Sequence, residues 1–178
     1  MKIEAVRTHV LYCDIDNAFQ SSFSTFQGRW ACLVEIECAD GTVGWGECLG
    51  PAKANAGVVA AMAPQLIGRN PLDIEPIWAA LCNEFRDQGQ HGLVFTAQSG
   101  IDIALWDIAG KHFGVPVSRL LGGAYRTEVP AYATGGFRVV GKDHHQWVAD
   151  ETVRYVAEGF TPVKIKIGYH AREDVELT

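Results

Sequence analysis

The alternation that opens Lys2-Ile3-Glu4-Ala5-Val6 has the two-residue period of a half-buried strand and predicts one over residues 2–12. From Asp14 to Arg29 the period is lost although Phe19, Phe23 and Phe26 lie there, so this stretch is expected to be a loop with unusual aromatic surface. Trp30 to Ala39 and Thr42 to Glu47 read as two strands around Asp40-Gly41, a hairpin signal. The first third is therefore expected to be a small antiparallel sheet. Gly50-Pro51 ends it.

Helical periodicity follows. Ala54–Ile67 and Asp73–Phe85 have helical content and are separated by the break Gly68-Arg69-Asn70-Pro71. From Leu93 the positions Val94, Ala97, Ile101, Ala104, Leu105 and Ile108 follow i, i+3, i+4, i+7 spacing, which predicts a long buried helix stopping near Gly114 and Pro116. Glu128–Thr134 reads as a fresh strand ending at Gly135-Gly136, His144–Ala157 as a helix broken by Gly159, and Pro162–Ile167 as a further strand. Strand, helix, strand implies a parallel pair with a right-handed crossover. Arg172–Leu177 looks like the start of another helix. An all-parallel sheet needs several strands covered on both faces, so more chain is expected.

Composition narrows the partner. With 178 residues, 48% apolar and 20% charged, the chain has ordinary globular content. A net charge of −6 with scattered Lys and Arg offers no basic patch, which argues against nucleic acid and anionic membrane and for a small-molecule ligand. Cys13, Cys32, Cys38, Cys48 and Cys82 are odd in number and form no C-x-x-C pair, so they read as reduced, mostly buried thiols. No leader-like or membrane-length apolar run appears, and a cytoplasmic protein is expected. Neither a glycine-rich nucleotide loop nor a G-x-S-x-G elbow is present.

The chemistry concentrates in Val163-Lys164-Ile165-Lys166-Ile167-Gly168. In a strand Lys164 and Lys166 would point the same way, roughly 6.6 Å apart at about 3.3 Å per residue. Two ammonium groups at that spacing repel by about 2.5 kcal/mol at an effective dielectric of about 20, which eases loss of one proton. One lysine can then act as a general base while its charged neighbour holds an anion such as a carboxylate. The plainer reading is a solvated edge strand with two exposed lysines. Asp102, Asp107 and Glu47 are read as structural, because Asp102 and Asp107, five apart, share no helix face. His144-His145 sits at a helix start with Asp143 as its cap, where a metal site is a weaker reading than a structural one.

Several segments together resemble a known family: Ala97-Gln98-Ser99-Gly100-Ile101-Asp102-Ile103-Ala104-Leu105-Trp106-Asp107, Gly114-Val115-Pro116-Val117, Leu120-Leu121-Gly122-Gly123, Lys164-Ile165-Lys166, and the hairpin end Val43-Gly44-Trp45-Gly46-Glu47. In this order they resemble the enolase superfamily, in its mandelate racemase and muconate lactonizing enzyme branch. The resemblance implies an α+β N-terminal capping domain over 1–125, an antiparallel sheet plus helices. It implies that 126–178 is the truncated start of a (β/α) TIM-like barrel, its first βα units, with active-site residues at the C-terminal ends of the strands. Lys166 then matches the base and Lys164 the lysine that holds the substrate carboxylate. The stretch around Phe19–Trp30 and the turn Leu49–Asn55 match two loops that touch the distal part of the substrate, which makes Phe23, Phe26 and Arg29 specificity candidates. Packing beneath the loop remains the alternative for those aromatics. Tyr132 and Thr134 end the first barrel strand and can face the pocket.

What the resemblance implies for activity is Mg²⁺-dependent removal of the proton α to a carboxylate, by an acid-sugar dehydratase or a racemase. Cycloisomerisation or epimerisation of the muconate lactonizing type is the alternative, and a non-catalytic fragment a further one. The Mg²⁺ carboxylates of the family lie on later strands, so this chain is expected to supply no metal ligand and to complete no turnover alone. The resemblance also implies a homo-oligomer.

Overall fold

The computed structural model describes residues 1–89 and 91–178, and its backbone divides into two units. The first comprises Met1–Tyr12 and Trp30–Tyr125, the second Cys13–Arg29 and Arg126–Thr178. The hairpin end 13–29 thus groups with the last third of the chain, not with the remainder of residues 1–125.

The first unit is built on the roots of β1 (Ile3–Gln20) and β2 (Thr25–Cys38), with β3 (Val43–Cys48) antiparallel to β2. Cys32, Val34, Ile36 and Cys38 are buried on one face of β2, while Leu33, Glu35 and Glu37 take the other. That is the period read from the sequence. Helices α1 (Ala52–Met62), α2 (Ile74–Glu84), α3 (Leu93–Phe113) and the single turn α4 (Val117–Leu120) complete the unit. The predicted first helix ends earlier than Ile67, because Pro64 turns the chain into a short 3₁₀ segment at Ala63–Gln65.

Helix α3 organises this core. It buries Ala97, Ile101, Ala104, Leu105 and Ile108, and Gly114 in the left-handed conformation (φ 67°) ends it. Its backbone comes so close to β3 that a Cβ on Gly46 would lie 1.9 Å from the Gly100 carbonyl oxygen, and one on Gly44 2.2 Å from that of Ala104. The glycines of Val43-Gly44-Trp45-Gly46 are there because nothing larger fits. Asp107 accepts hydrogen bonds from the Trp45 amide (2.8 Å) and from Lys111 Nζ (2.7 Å), while Lys111 also donates to the Val43 carbonyl (2.6 Å). Asp107 therefore has the structural role expected of it. Burial, then the neighbouring Cys32, pushes the Cys48 thiol up to about 12, in keeping with an inert core thiol.

The second unit corrects the expected loop at Asp14–Arg29. Strand β1 continues to Gln20 and β2 begins at Thr25, so the stretch is the far end of a long hairpin. Its turn is closed by the Ser21 amide donating to the Ser24 carbonyl (2.9 Å), with Ser21 Oγ accepting from the amides of Phe23 and Ser24. β5 (Arg138–Val139), not predicted, pairs antiparallel with the end of β1 in the register Phe19↔Val139 and Gln20↔Arg138. β4 (Ala133–Thr134) and β6 (Val163–Lys164) form the expected parallel pair, joined through α5 (His144–Ala157). α6 (Ala171–Leu177) closes the chain, and Asp143 caps α5 by accepting from the Gln146 amide (2.8 Å).

Both parallel strands are shorter than the predicted Glu128–Thr134 and Pro162–Ile167. After Thr134 the Gly135 amide still reaches the Lys164 carbonyl (2.9 Å), but the Gly136 amide turns to the Glu151 carboxylate (2.6 Å). On β6 the amides of Gly168 and Tyr169 turn to Asp174 (2.9 and 3.4 Å). Side-chain acceptors from α5 and α6 take donors that a longer ladder would use.

Candidate active site

Lys164 is the last residue of β6, and Lys166 lies two residues beyond it. Val163 and Ile165 line an apolar groove with Val148, Ala149 and Thr152 of α5, so the alternating positions 164 and 166 fall on the opposite side. Lys164 is exposed and lies opposite Thr134 in the parallel register. Its Nζ is 3.4 Å from the Tyr132 hydroxyl and 5.2 Å from the centre of that ring. Lys164, Tyr132 and Thr134 therefore form one group.

Lys166 belongs to a second. A recess of about 280 Å³ in the second unit is lined by Phe19, Phe23, Phe26 and Arg29 of the hairpin, by Phe137 and by Lys166. Phe19 stacks on Phe26 at 5.1 Å and meets Phe137 at 4.7 Å, giving an aromatic wall. The Arg29 guanidinium sits over that wall, 5.0 Å from the Phe19 centroid and 5.4 Å from that of Phe26. Lys166 Nζ lies 5.2 Å from the Phe137 centroid. Among the described residues neither cation is paired with a carboxylate. Two cations against ring faces are an arrangement that can take up an anion with some apolar or hydroxylated surface.

Phe23, 94% exposed, projects from the turn with almost no packing beneath it, whereas Phe19 and Phe26 are half-buried. Packing beneath the loop, the alternative for these aromatics, fits Phe19 and Phe26 in part and Phe23 not at all. Phe137 was missed by sequence reasoning: it follows Gly135-Gly136, which reads as a turn, and only the pairing of β5 with β1 turns its ring toward Phe19. In the other loop the Asn55 side chain is fully buried. Its amide donates to the carbonyls of Leu49 and Pro51 (3.0 and 3.3 Å) and its oxygen accepts from the Thr96 hydroxyl (2.7 Å), so Asn55 braces that turn.

A Mg²⁺ ion requires several converging oxygen ligands. Among the described residues no three His, Cys, Asp or Glu side chains come together to hold a cation, so the residues present do not fit one. His144, buried at the start of α5, has among the described residues no hydrogen-bond partner on either ring nitrogen and stands edge-on to Tyr169 at 5.2 Å. Among the described residues no helix is long and apolar enough to cross a membrane.

The model for the mandelate racemase / muconate lactonizing enzyme N-terminal domain matches residues 2–122. The chain is 55% identical over 177 residues to a D-galactarolactone cycloisomerase from Agrobacterium fabrum, covering 99% of this chain and 47% of that protein. It is 38% identical over 146 residues to an arabinonate dehydratase from Saccharolobus solfataricus, covering 80% of this chain and 39% of the relative. Its fold superposes on the crystal structure of the 3,6-anhydro-D-galactonate cycloisomerase from Zobellia galactanivorans with a TM-score of 0.86 at 31% identity, over 99% of this chain and 46% of that one. The chain spans less than half the length of each of these proteins.

Proposed function

The chain belongs to the mandelate racemase / muconate lactonizing enzyme family of the enolase superfamily, and from that premise we propose that it carries the anion-binding and proton-abstracting part of an enzyme acting on a sugar acid or its lactone. The observation that supports this reading most is the pair of cations, Arg29 and Lys166, facing one aromatic-walled recess without acidic partners. In this reading the β4–α5–β6 segment is the opening of a (β/α) barrel, and the lysines stand at the C-terminal end of its second strand.

Lys166 is the base that takes the proton from the carbon next to the substrate carboxylate. Lys164 holds that carboxylate, with the Tyr132 hydroxyl and Thr134 beside it. Arg29, Phe23 and Phe26 meet the far end of the substrate. Charge built up on the deprotonated acid needs a strong electrophile, which the resemblance implies Mg²⁺ would supply; among the described residues no cage for it forms.

The lactone cycloisomerase reading is favoured over dehydration of an open aldonate because the relative so named is 55% identical over nearly the whole chain, against 38% over four-fifths of it for the dehydratase. Both begin with the same proton abstraction and differ in what leaves the adjacent carbon, a ring oxygen or a hydroxyl. The test follows the α-proton by NMR in deuterium oxide in the complete enzyme that carries this chain, with galactarolactone and arabinonate as substrates and Mg²⁺ supplied. Consumption of the lactone with loss of its α-proton, abolished in Lys166→Met and strongly reduced in Lys164→Met, is the expected result. Unchanged α-protons in both substrates would overturn the proposal.

A further inference from the structure

Three separate segments wall the recess: the hairpin end, the chain at Phe137, and the chain at Lys166-Ile167. One side chain joins all three. The Tyr169 hydroxyl donates to the Gln20 carbonyl (2.5 Å) and accepts from the Arg138 amide (3.3 Å), which places it at the last rung between β1 and β5. Gln20 lies between Phe19 and Ser21, Arg138 follows Phe137, and Tyr169 is three residues beyond Lys166. Every wall is therefore tied within a few residues of its lining side chains.

The ring of Tyr169 is itself fixed. The Arg138 guanidinium lies over it at 4.4 Å and is ion-paired to Glu173, the His144 ring meets it edge-on, and its backbone amide is turned toward Asp174. A hydroxyl on so constrained a ring has little freedom to let its two partners drift apart.

We infer that Tyr169 is a positioning residue whose hydroxyl sets the distance between the hairpin bearing Phe23, Phe26 and Arg29 and the segment bearing Lys166. Its consequence for substrate rests on the function proposed above; its consequence for the hairpin does not. Losing the hydroxyl frees the hairpin end while leaving the lysine amine and the aromatic wall in place, so substrate capture suffers and the chemical step does not.

The decisive variant is Tyr169→Phe, which keeps the ring and its contacts with Arg138 and His144. Amide hydrogen exchange on the 178-residue chain is expected to accelerate about fivefold across residues 19–24, the scale of one hydrogen bond, with α3 unchanged. In turnover of the sugar-acid lactone by the complete enzyme that carries this chain, KM is expected to rise about fivefold with kcat within about twofold. Unaltered exchange over residues 19–24 overturns the inference, as does a fall in kcat at constant KM, or loss of protection that spreads to α3. If the complete enzyme that carries this chain turns over no lactone, the proposed function fails, and hydrogen exchange alone still decides the role of Tyr169.

Discussion

His144 concentrates an unusual amount of unspent hydrogen-bonding capacity. It is 7% exposed, both ring nitrogens lack hydrogen-bond partners among the described residues, and it packs beside Tyr169 with Arg138, Glu173, His145 and Asp143 around it. Burial first, then the positive charge of Arg138, holds its pKa below the usual imidazole value, with Glu173 and Asp143 opposing in part. The unfolded chain therefore binds a proton at a pH where the folded chain still refuses one, and stability rises with pH across that interval. Stability is fully present above the unfolded imidazole value of about 6.5 and falls as pH drops toward the lowered folded value. Replacing His144 by Phe keeps a ring against Tyr169 and removes the titration. The acid-side fall in the urea midpoint of the second unit, followed by Trp147 fluorescence between about pH 7.5 and pH 5, should become shallower. An identical pH slope in both proteins would assign the acid sensitivity elsewhere. At this scale Lys164 and Lys166 stand out in the sequence by residue type and spacing, and Arg29 and Phe26 are candidates through the family resemblance, whereas Phe137 and Tyr169 acquire their places through pairing with residues more than a hundred positions away.

Elements followed the same division between local and distant causes. α3 was legible because its apolar period is internal to it, and β2 because its alternation marks one buried face. The hairpin end was not, since polar and aromatic side chains stand on both faces there and no burial contrast imposes a period of two. Two glycines separate packing from propensity. Gly46 has the Gly100 carbonyl where its Cβ would be, so Gly46→Ala forces α3 off β3, at a cost of about 3 kcal/mol or more by overpacking. Gly57, inside α1, has open space around it, so Gly57→Ala should stabilise by about 0.5–1 kcal/mol through helix propensity alone. Equilibrium urea unfolding of both variants measures the contrast. A neutral Gly46→Ala would mean that helix and strand separate more easily than their approach suggests.

Over the whole molecule the apolar burial is unequal. The main core cluster, from Ile3 and the inner face of β2 through Met62, Leu66 and Leu81 to the buried side of α3, belongs entirely to the first unit. Among the described residues the second unit buries only Ala133, Val139 and Val148 as hydrophobic side chains, and leaves Val153 at 69%, Val156 at 52% and Val175 at 76% exposure. Each aliphatic side chain fully buried contributes about 1.5–3 kcal/mol, so the two units differ by far more than the thermal energy in what holds them closed. The second unit should therefore open first, as a sub-global event. Amides of α5, Tyr169 and the hairpin end should exchange at low urea concentration, while those of Ile101 to Ile108 stay protected until the global transition. Sugar-acid lactone bound in the recess, if the proposed function holds, should slow exchange in the second unit selectively, because a ligand stabilises only the state that binds it. A break after Tyr125 is the sequence expectation from Gly122-Gly123 and the fresh strand signal, and nothing local in the sequence says that residues 13–29 share a compact unit with residues 126–178. A single denaturant dependence shared by α3 and α5 amides would refute the unequal-core argument and imply that the sparse burial of the second unit is offset by its hydrogen bonds, with Tyr169, Glu151 and Asp174 the first to examine.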